Sequence, residues 1–185
     1  MDTLVTRRLI LRQLEKTDAE AMFQYAQKTN IGPMAGWRPH QNIDETKAII
    51  NMMINENEVW AITIKPNDVL VGTIGLHTKD FHQALEFKKE LGFVLDEPYW
   101  GQGYVLEAVE AILKYAFRTI KLDVVSCVHY SSNKQSRRVI EKAGFEKIHA
   151  EMRDDAYKIK RISYYYEIKR RDYIGGKHGK IKFEI

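Results

Sequence analysis

The chain has 185 residues, 44% apolar, 29% charged and 11% aromatic, which suits one domain with a substantial core. This composition excludes a disordered polyelectrolyte, the single cysteine (Cys127) excludes a disulfide scaffold, and no apolar run approaches the roughly 20 residues of a membrane span. The formal charge of +4 is unevenly spread: residues 158–185 hold nine basic and three acidic residues, so the remainder is slightly acidic.

In chain order, residues 6–14 alternate loosely, Leu9 and Leu11 against Arg8 and Arg12, and predict a first strand. Thr17, followed three residues later by Glu20, reads as a capping box opening a helix whose Ala21, Met22, Tyr25 and Ala26 share a face. Gly32, Pro33, Gly36 and Pro39 predict a loop. Asn42 with Glu45 then opens a second helix carrying Ile49, Ile50, Met53 and Ile54. Strand-like runs at 59–65 and 69–76 flank the turn Pro66-Asn67-Asp68, and a short strand at 91–95 ends at Asp96-Glu97-Pro98. From 104 to 118, Val105, Val109, Ile112, Leu113 and Ala116 recur at helical spacing, with acidic residues early and basic ones late, matching the helix dipole. A strand at 124–129, a helix at 133–142 stopped by Gly144, and strands at 145–150 and 162–169 complete the pattern. Interleaved strands and helices predict one α/β or α+β domain over 1–173, followed by a basic tail at 174–185. The start shows no apolar leader, and with one cysteine a cytoplasmic location is expected.

The most informative stretch is Gly101-Gln102-Gly103-Tyr104, between a short strand and a long helix. Free N–H groups and partial positive charge at a helix start, approached over glycines, suit an anion such as a phosphate. No Gly-Lys-Ser/Thr follows, and Glu107 stands where a dinucleotide fingerprint needs its third glycine. A lone Gly-x-Gly also makes an ordinary tight turn.

A second motif narrows the reading: Asn133-Lys134-Gln135-Ser136 leading to Val139-Ile140-Glu141-Lys142-Ala143-Gly144-Phe145. With both motifs the chain resembles the Gcn5-related N-acetyltransferase (GNAT) superfamily, and within it the RimJ/RimL-like group. Arg8-Leu9-Ile10-Leu11-Arg12, Trp60-Ala61-Ile62 and Val71-Gly72-Thr73-Ile74-Gly75-Leu76 share the resemblance, which runs from about residue 7 to 170. It implies a central mixed, mostly antiparallel sheet flanked by helices, with acetyl-CoA as acetyl donor and no metal. It also implies that the strand before the loop splays from its neighbour, so that Phe93, Val94 and Leu95 pair through their backbone with the pantetheine arm. By the same resemblance, amides of Gly101, Gln102, Gly103, Tyr104 and Val105 bind the pyrophosphate, and the Asn133 side chain lies by the cofactor. The family pattern, Arg/Gln-x-x-Gly-x-Gly/Ala, is departed from at Trp100 and Val105.

Many relatives protonate the leaving thiolate with a tyrosine seven residues after that asparagine, where this chain has Ile140. Ser136 is the substitute candidate, or an ordinary helix-start residue. Glu90 is the candidate base, or a solvated strand-end carboxylate. In relatives the loop between the first two helices walls the acceptor pocket, which assigns Trp37, Arg38 and His40 to substrate binding, with Trp37 as a packing anchor the alternative. His129 and Tyr130 are expected to face the cleft and Cys127 to fill the core, while His77 and His82 have no metal-site spacing.

The incomplete acid–base set favours an acceptor that is already partly unprotonated. At pH 7 an α-amine of pKa about 7.8 is free in roughly one molecule in seven, against about one in 2,500 for lysine. The expected partner is therefore the N-terminal α-amine of a ribosomal or other protein. The alternatives are a small amine such as an antibiotic or polyamine, and a non-catalytic acyl-CoA- or RNA-binding module. Nucleic acid is expected only at the tail, a membrane not at all, and a homodimer is common among relatives.

Overall fold

The computed structural model describes residues 1–79 and 86–175; His82 and the tail from 176 onward lie outside them. Eight strands form one sheet: β1 (Leu4–Val5), β2 (Leu9–Gln13), β3 (Val59–Ile64), β4 (Val69–His77), β5 (Lys88–Leu95), β6 (Val124–Tyr130), β7 (Glu146–Asp154) and β8 (Lys160–Lys169). Their order is β1-β2-β3-β4-β5-β6-β8-β7, antiparallel throughout except for the parallel pair β5–β6. This is the mixed, mostly antiparallel sheet that the resemblance implies.

Strands β3 and β4 are buried along almost their whole length, because both sheet faces are covered. On one face α1 (Ala19–Ala26) and α3 (Ile43–Glu56), joined through the short α2 (Gly32–Ala35), enclose Leu14, Met22, Tyr25, Ile50 and Ala61. On the other, α4 (Tyr104–Tyr115) and α5 (Lys134–Lys142) cover Trp60, Ile62, Ile74, Leu91 and Tyr166. Burial of Val109, Ile112 and Leu113 of α4, none of them solvent-accessible, contributes roughly 1.5–3 kcal/mol each. A short α6 (Arg170–Ile174), not expected from the sequence, closes the described chain.

Three local expectations are corrected. Thr17 does not cap α1, because its hydroxyl turns to Glu15; Asp18 instead accepts the Glu15 N–H at 2.8 Å and a two-pronged ion pair from Arg12 at 2.9 Å. The Gly/Pro loop begins with one helical turn, α2, which stops where Gly36 adopts φ 93°. The β7–β8 hairpin is longer than the hydrophobic pattern suggested, since β7 is exposed along its length and does not alternate. Asp155 closes its turn, accepting the N–H groups of Tyr157 and Ile159 at 2.8 and 3.0 Å and the Arg161 guanidinium at 2.5 Å. The cap at Asn42 forms as expected, its side chain accepting the Glu45 N–H at 2.9 Å.

The feature that positions the site is the parallel pair. Lys88 to Leu91 pair with Val124 to Cys127, and there the pairing stops, although β5 continues to Leu95 and β6 to Tyr130. From Gly92 to Leu95 one edge of β5 is therefore open on the β6 side.

Candidate active site

At the far end of that open edge the chain turns through Gly101 and Gly103, at φ 75° and 80°, into α4. These left-handed conformations favour glycine. A Cβ on Gly101 would meet nothing within 4 Å, so glycine serves backbone shape and open approach there, not relief of crowding. The first helical hydrogen bond runs from the Glu107 N–H to the Gly103 carbonyl at 3.1 Å. The N–H groups of Tyr104, Val105 and Leu106 precede it at the positive end of the helix dipole, without helical acceptors.

Side chains behind the loop hold this arrangement. Arg8 donates from Nη1 to the Gln102 carbonyl at 2.9 Å and from Nε to Glu107 at 2.7 Å, and its guanidinium lies 4.4 Å from the Tyr104 ring centroid. Glu107 also accepts the Thr6 hydroxyl at 2.6 Å and the Arg8 N–H at 2.8 Å. Burial works against its ionised form, but these donors outweigh it and hold the carboxyl below its usual range. The Gln102 side chain donates to the Pro98 carbonyl at 3.0 Å, so Gln102 faces a ligand through its backbone only. Trp100, at the position departing from the family pattern, donates its indole N–H to the Leu95 carbonyl at 2.7 Å and packs against both cores, tying the loop to the end of β5. Arg8, Thr6 and Glu107 had no legible role in the sequence, where Arg8 and Glu107 stand 99 residues apart; opposite charge was the sole signal.

This geometry fits acetyl-CoA. The amide cradle suits a diphosphate, and the β5 edge from Gly92 to Leu95, apart from the Leu95 carbonyl that Trp100 engages, suits the amides of an extended arm, since buried N–H and C=O groups require partners. Phe93 and Leu95 turn toward the α4 core and Val94 toward the α1–α3 core, leaving main chain at the edge.

Across the splay, the Asn133 side chain is doubly engaged. Its Oδ1 accepts the Ser136 N–H at 3.0 Å, capping α5, and its Nδ2 donates to the Met34 carbonyl of α2 at 3.1 Å. Asn133 thereby joins the helix beside the open edge to the loop on the opposite face. Ser136 is half-buried in the first turn of α5, while Ile140 is sealed in the core.

Glu90 pairs across to His77 on one side and Ser126 on the other, just before the splay; it is half-buried, with Oε1 3.9 Å from the Lys79 ammonium. Trp37, Arg38 and His40 do not converge on it as a cluster. Trp37 lies on Gly32, where a Cβ would come within 2.6 Å of the ring, and is tilted against His40 at 5.1 Å. His40 is buried, with Nδ1 2.8 Å from the Thr46 hydroxyl, and burial lowers its pKa. Arg38 is exposed; it donates to the Ala156 carbonyl at 3.0 Å and lies 5.2 Å from the Tyr157 ring centroid, linking the loop to the β7–β8 turn. Tyr130 faces this loop, its hydroxyl 3.5 Å from where a Gly36 Cβ would stand. His129 points to the opposite face, stacked on Tyr166 at 5.4 Å, rather than beside Tyr130. Cys127 is buried in the core and burial pushes its thiol up, which makes it inert. Among the described residues no group of His, Cys, Asp and Glu is placed to hold a metal ion, and no helix is long and apolar enough to cross a membrane.

Comparison with known proteins agrees with this geometry. Residues 8–146 match the family model of the acetyltransferase (GNAT) domain. The chain is 27% identical over 153 residues to the uncharacterized N-acetyltransferase p20 of Bacillus licheniformis, covering 80% of this chain and 84% of that protein. A GNAT-family acetyltransferase from Bacillus anthracis superposes with a TM-score of 0.83 at 24% identity, covering 92% of this chain and 99% of that one. The ribosomal-protein-S5-alanine acetyltransferase of Vibrio fischeri superposes with a TM-score of 0.75 at 16% identity, covering 94% and 99%.

Proposed function

Because this chain belongs to the GNAT family of acetyltransferases, we propose that it moves the acetyl group of acetyl-CoA onto the α-amine of a peptide or protein N-terminus, in the manner of the RimJ/RimL-like group. The observation that carries the donor half is the open edge of β5, Gly92 to Leu95, leading into the Gly101–Val105 cradle. Acetyl-CoA supplies an activated acetyl group and a leaving thiolate whose thiol has a pKa near 8.5. The chain's own contributions are separable. Main-chain N–H groups from Gly101 to Val105 neutralise the diphosphate, and the β5 edge aligns the arm.

Glu90 presents a carboxylate beside the apex of the splay, where it attracts the acceptor's ammonium. Ser136, in the first turn of α5 next to the Asn133 cap, is the hydroxyl assigned to protonate the sulfur. Ile140, sealed in the core seven residues after Asn133, leaves Ser136 as the hydroxyl for the sulfur, and an α-amine, already partly free at pH 7, is the acceptor that asks least of the base.

A turnover assay with acetyl-CoA tests this across peptides with free N-termini, Nα-blocked lysine peptides, polyamines and aminoglycosides. Peptide N-termini are expected to turn over at least tenfold faster than the other acceptors. Faster acetylation of the blocked lysine peptides would overturn the α-amine assignment.

A further inference from the structure

His77 is the last residue of β4 and the direct cross-strand partner of Glu90, yet its ring does not project past the strand end. It folds back over the sheet. A Cβ on Gly75 would come within 2.7 Å of Nε2, and one on Gly92 within 3.4 Å. Gly75 and Gly92 are themselves a cross-strand pair, so together they make a notch without side chains, which the imidazole fills. Interior strand glycines forfeit packing and weaken a sheet, and here they give the ring room. The notch opens on the α1–α3 side, because the next pair along, Thr73 and Val94, faces the core of that side. Gly92 is also the first β5 residue beyond the last β5–β6 pair, Leu91 with Cys127. His77 Nε2 therefore stands at the apex of the splay, at the inner end of the open edge.

We propose that His77, in place of the Glu90 that the sequence offers for this role, is the general base of the transfer, its Nε2 taking the proton from the acceptor nitrogen at the apex with Glu90 alongside. This rests on the N-acetyltransferase reading and adds the proton acceptor to it. As the amine nitrogen bonds to the acetyl carbon, the carbon–sulfur bond breaks with its electron pair going to sulfur. The proton lost by nitrogen passes to Nε2 and on to solvent, and the thiolate takes a proton in turn.

The charged surroundings suit this role. Burial lowers the pKa of His77 and Lys79 pushes the same way, so the ring is neutral and basic at pH 7; Glu58, Glu90 and Glu56 oppose them. Of these carboxylates, Glu58 is already engaged by Lys89 at 2.6 Å and by the Thr78 N–H at 3.0 Å, whereas Glu90 has the more distant Lys79. Glu90 is thus placed to stabilise the imidazolium once it forms.

The test compares wild type with H77Q and with G75A, whose added methyl displaces the ring while leaving His77 in the sequence. Acetyl-CoA affinity is followed by calorimetry, folding by circular dichroism, and kcat/KM against pH with a peptide carrying a free N-terminal alanine. Both variants are expected to fold and to bind acetyl-CoA within about twofold of wild type. Their kcat/KM at pH 7 should fall by roughly 100-fold or more, with the acid limb of the profile moving up toward the pKa of the acceptor's α-amine, about 7.8. A kcat/KM within threefold of wild type, or a fall that leaves the acid limb at its wild-type position, would overturn the proposal.

Imidazole NMR of the wild-type chain supplies a readout independent of the acceptor. The His77 signals should differ between the CoA-bound and acetyl-CoA-bound chain, and identical signals would refute the placement of Nε2 at the apex. Should wild type bind acetyl-CoA yet acetylate no peptide, the acceptor assignment fails, and the NMR comparison alone decides the role of His77.

Discussion

At the Gly101–Val105 end of the open β5 edge, the groups that face a ligand are main-chain amides, and the side chains of Arg8, Glu107 and Trp100 stand behind them as braces. At the Glu90 end the order is reversed: the side chains of His77 and Glu90 stand at the edge, and main chain without side chains, at Gly75 and Gly92, makes room for the His77 ring. The first arrangement suits whatever carries a diphosphate, with little regard to which residues surround it. The second depends on the identity of individual side chains, and in the proposed function it is the end that sets the acceptor and the proton path. Donor and acceptor can therefore change independently across one fold.

The largest effect that would test this division lies at Gly103. A valine there must adopt φ near 80°, which disfavours a side chain by roughly 1–2 kcal/mol or more, and its Cβ would stand 3.5 Å from Arg8 Nη2. Gly103→Val is expected to raise the Kd for acetyl-CoA at least tenfold in calorimetry. Arg8→Ala, which removes the brace but leaves the amides, should weaken binding less. Equal affinity in wild type and Gly103→Val would show that the backbone cradle does not carry donor binding.

That cradle was also the more legible half of the site. A strand, two glycines and an amphipathic helix are local patterns, and Gly101 to Tyr104 showed them within a few residues. The sheet was legible for the same reason, since β3 and β4 are largely apolar runs broken only by Thr63, two glycines, Thr73 and the terminal His77. The acceptor half was not. Trp37 and His40 look like recognition residues in a Gly/Pro loop, but the glycine at position 32 gives Trp37 a packing surface and Thr46 gives His40 a buried partner. Conversely, His77 looked unremarkable beside an acidic stretch, because its relation to Gly92 exists only after β4 and β5 pair. The roles of Arg8 and Asn133 likewise depend on partners about 99 residues away.

A middle-sized effect separates the two ends by pH. Burial lowers the pKa of His40 and His77 on the α1–α3 side, and of His129 on the other face. The unfolded chain therefore binds more protons than the folded one below the ordinary histidine value of about 6.5. Stability is complete above that pH and is lost as the pH falls from 6.5 through the lowered folded values. Glu107, held below the usual carboxylate range, stays ionised across the same window, so the donor brace persists. Thermal denaturation should give a Tm several degrees lower at pH 5.5 than at pH 7.5, and H77Q should reduce that difference. A Tm unchanged across this range would mean that the buried histidines do not govern acid sensitivity.

The smallest effect, and the most selective, is expected at Arg38. Its side chain is exposed, so a contact of this kind contributes little to stability, and Arg38→Ala should shift the Tm by no more than about 2 °C. The Arg38 guanidinium nonetheless holds the 31–42 loop to the β7–β8 turn, through the Ala156 carbonyl and the Tyr157 ring. The same loop is also held to α5 by Asn133 through Met34 and to α3 by His40 through Thr46, and Arg38→Ala removes one of these fastenings. Looser placement of this wall should raise the KM for a peptide acceptor several-fold while leaving the acetyl-CoA Kd and the acid limb of the kcat/KM profile unchanged. A matching rise in the acetyl-CoA Kd would show that the loop reports through Asn133 to the donor side, and the two ends of the β5 edge would then be one coupled site.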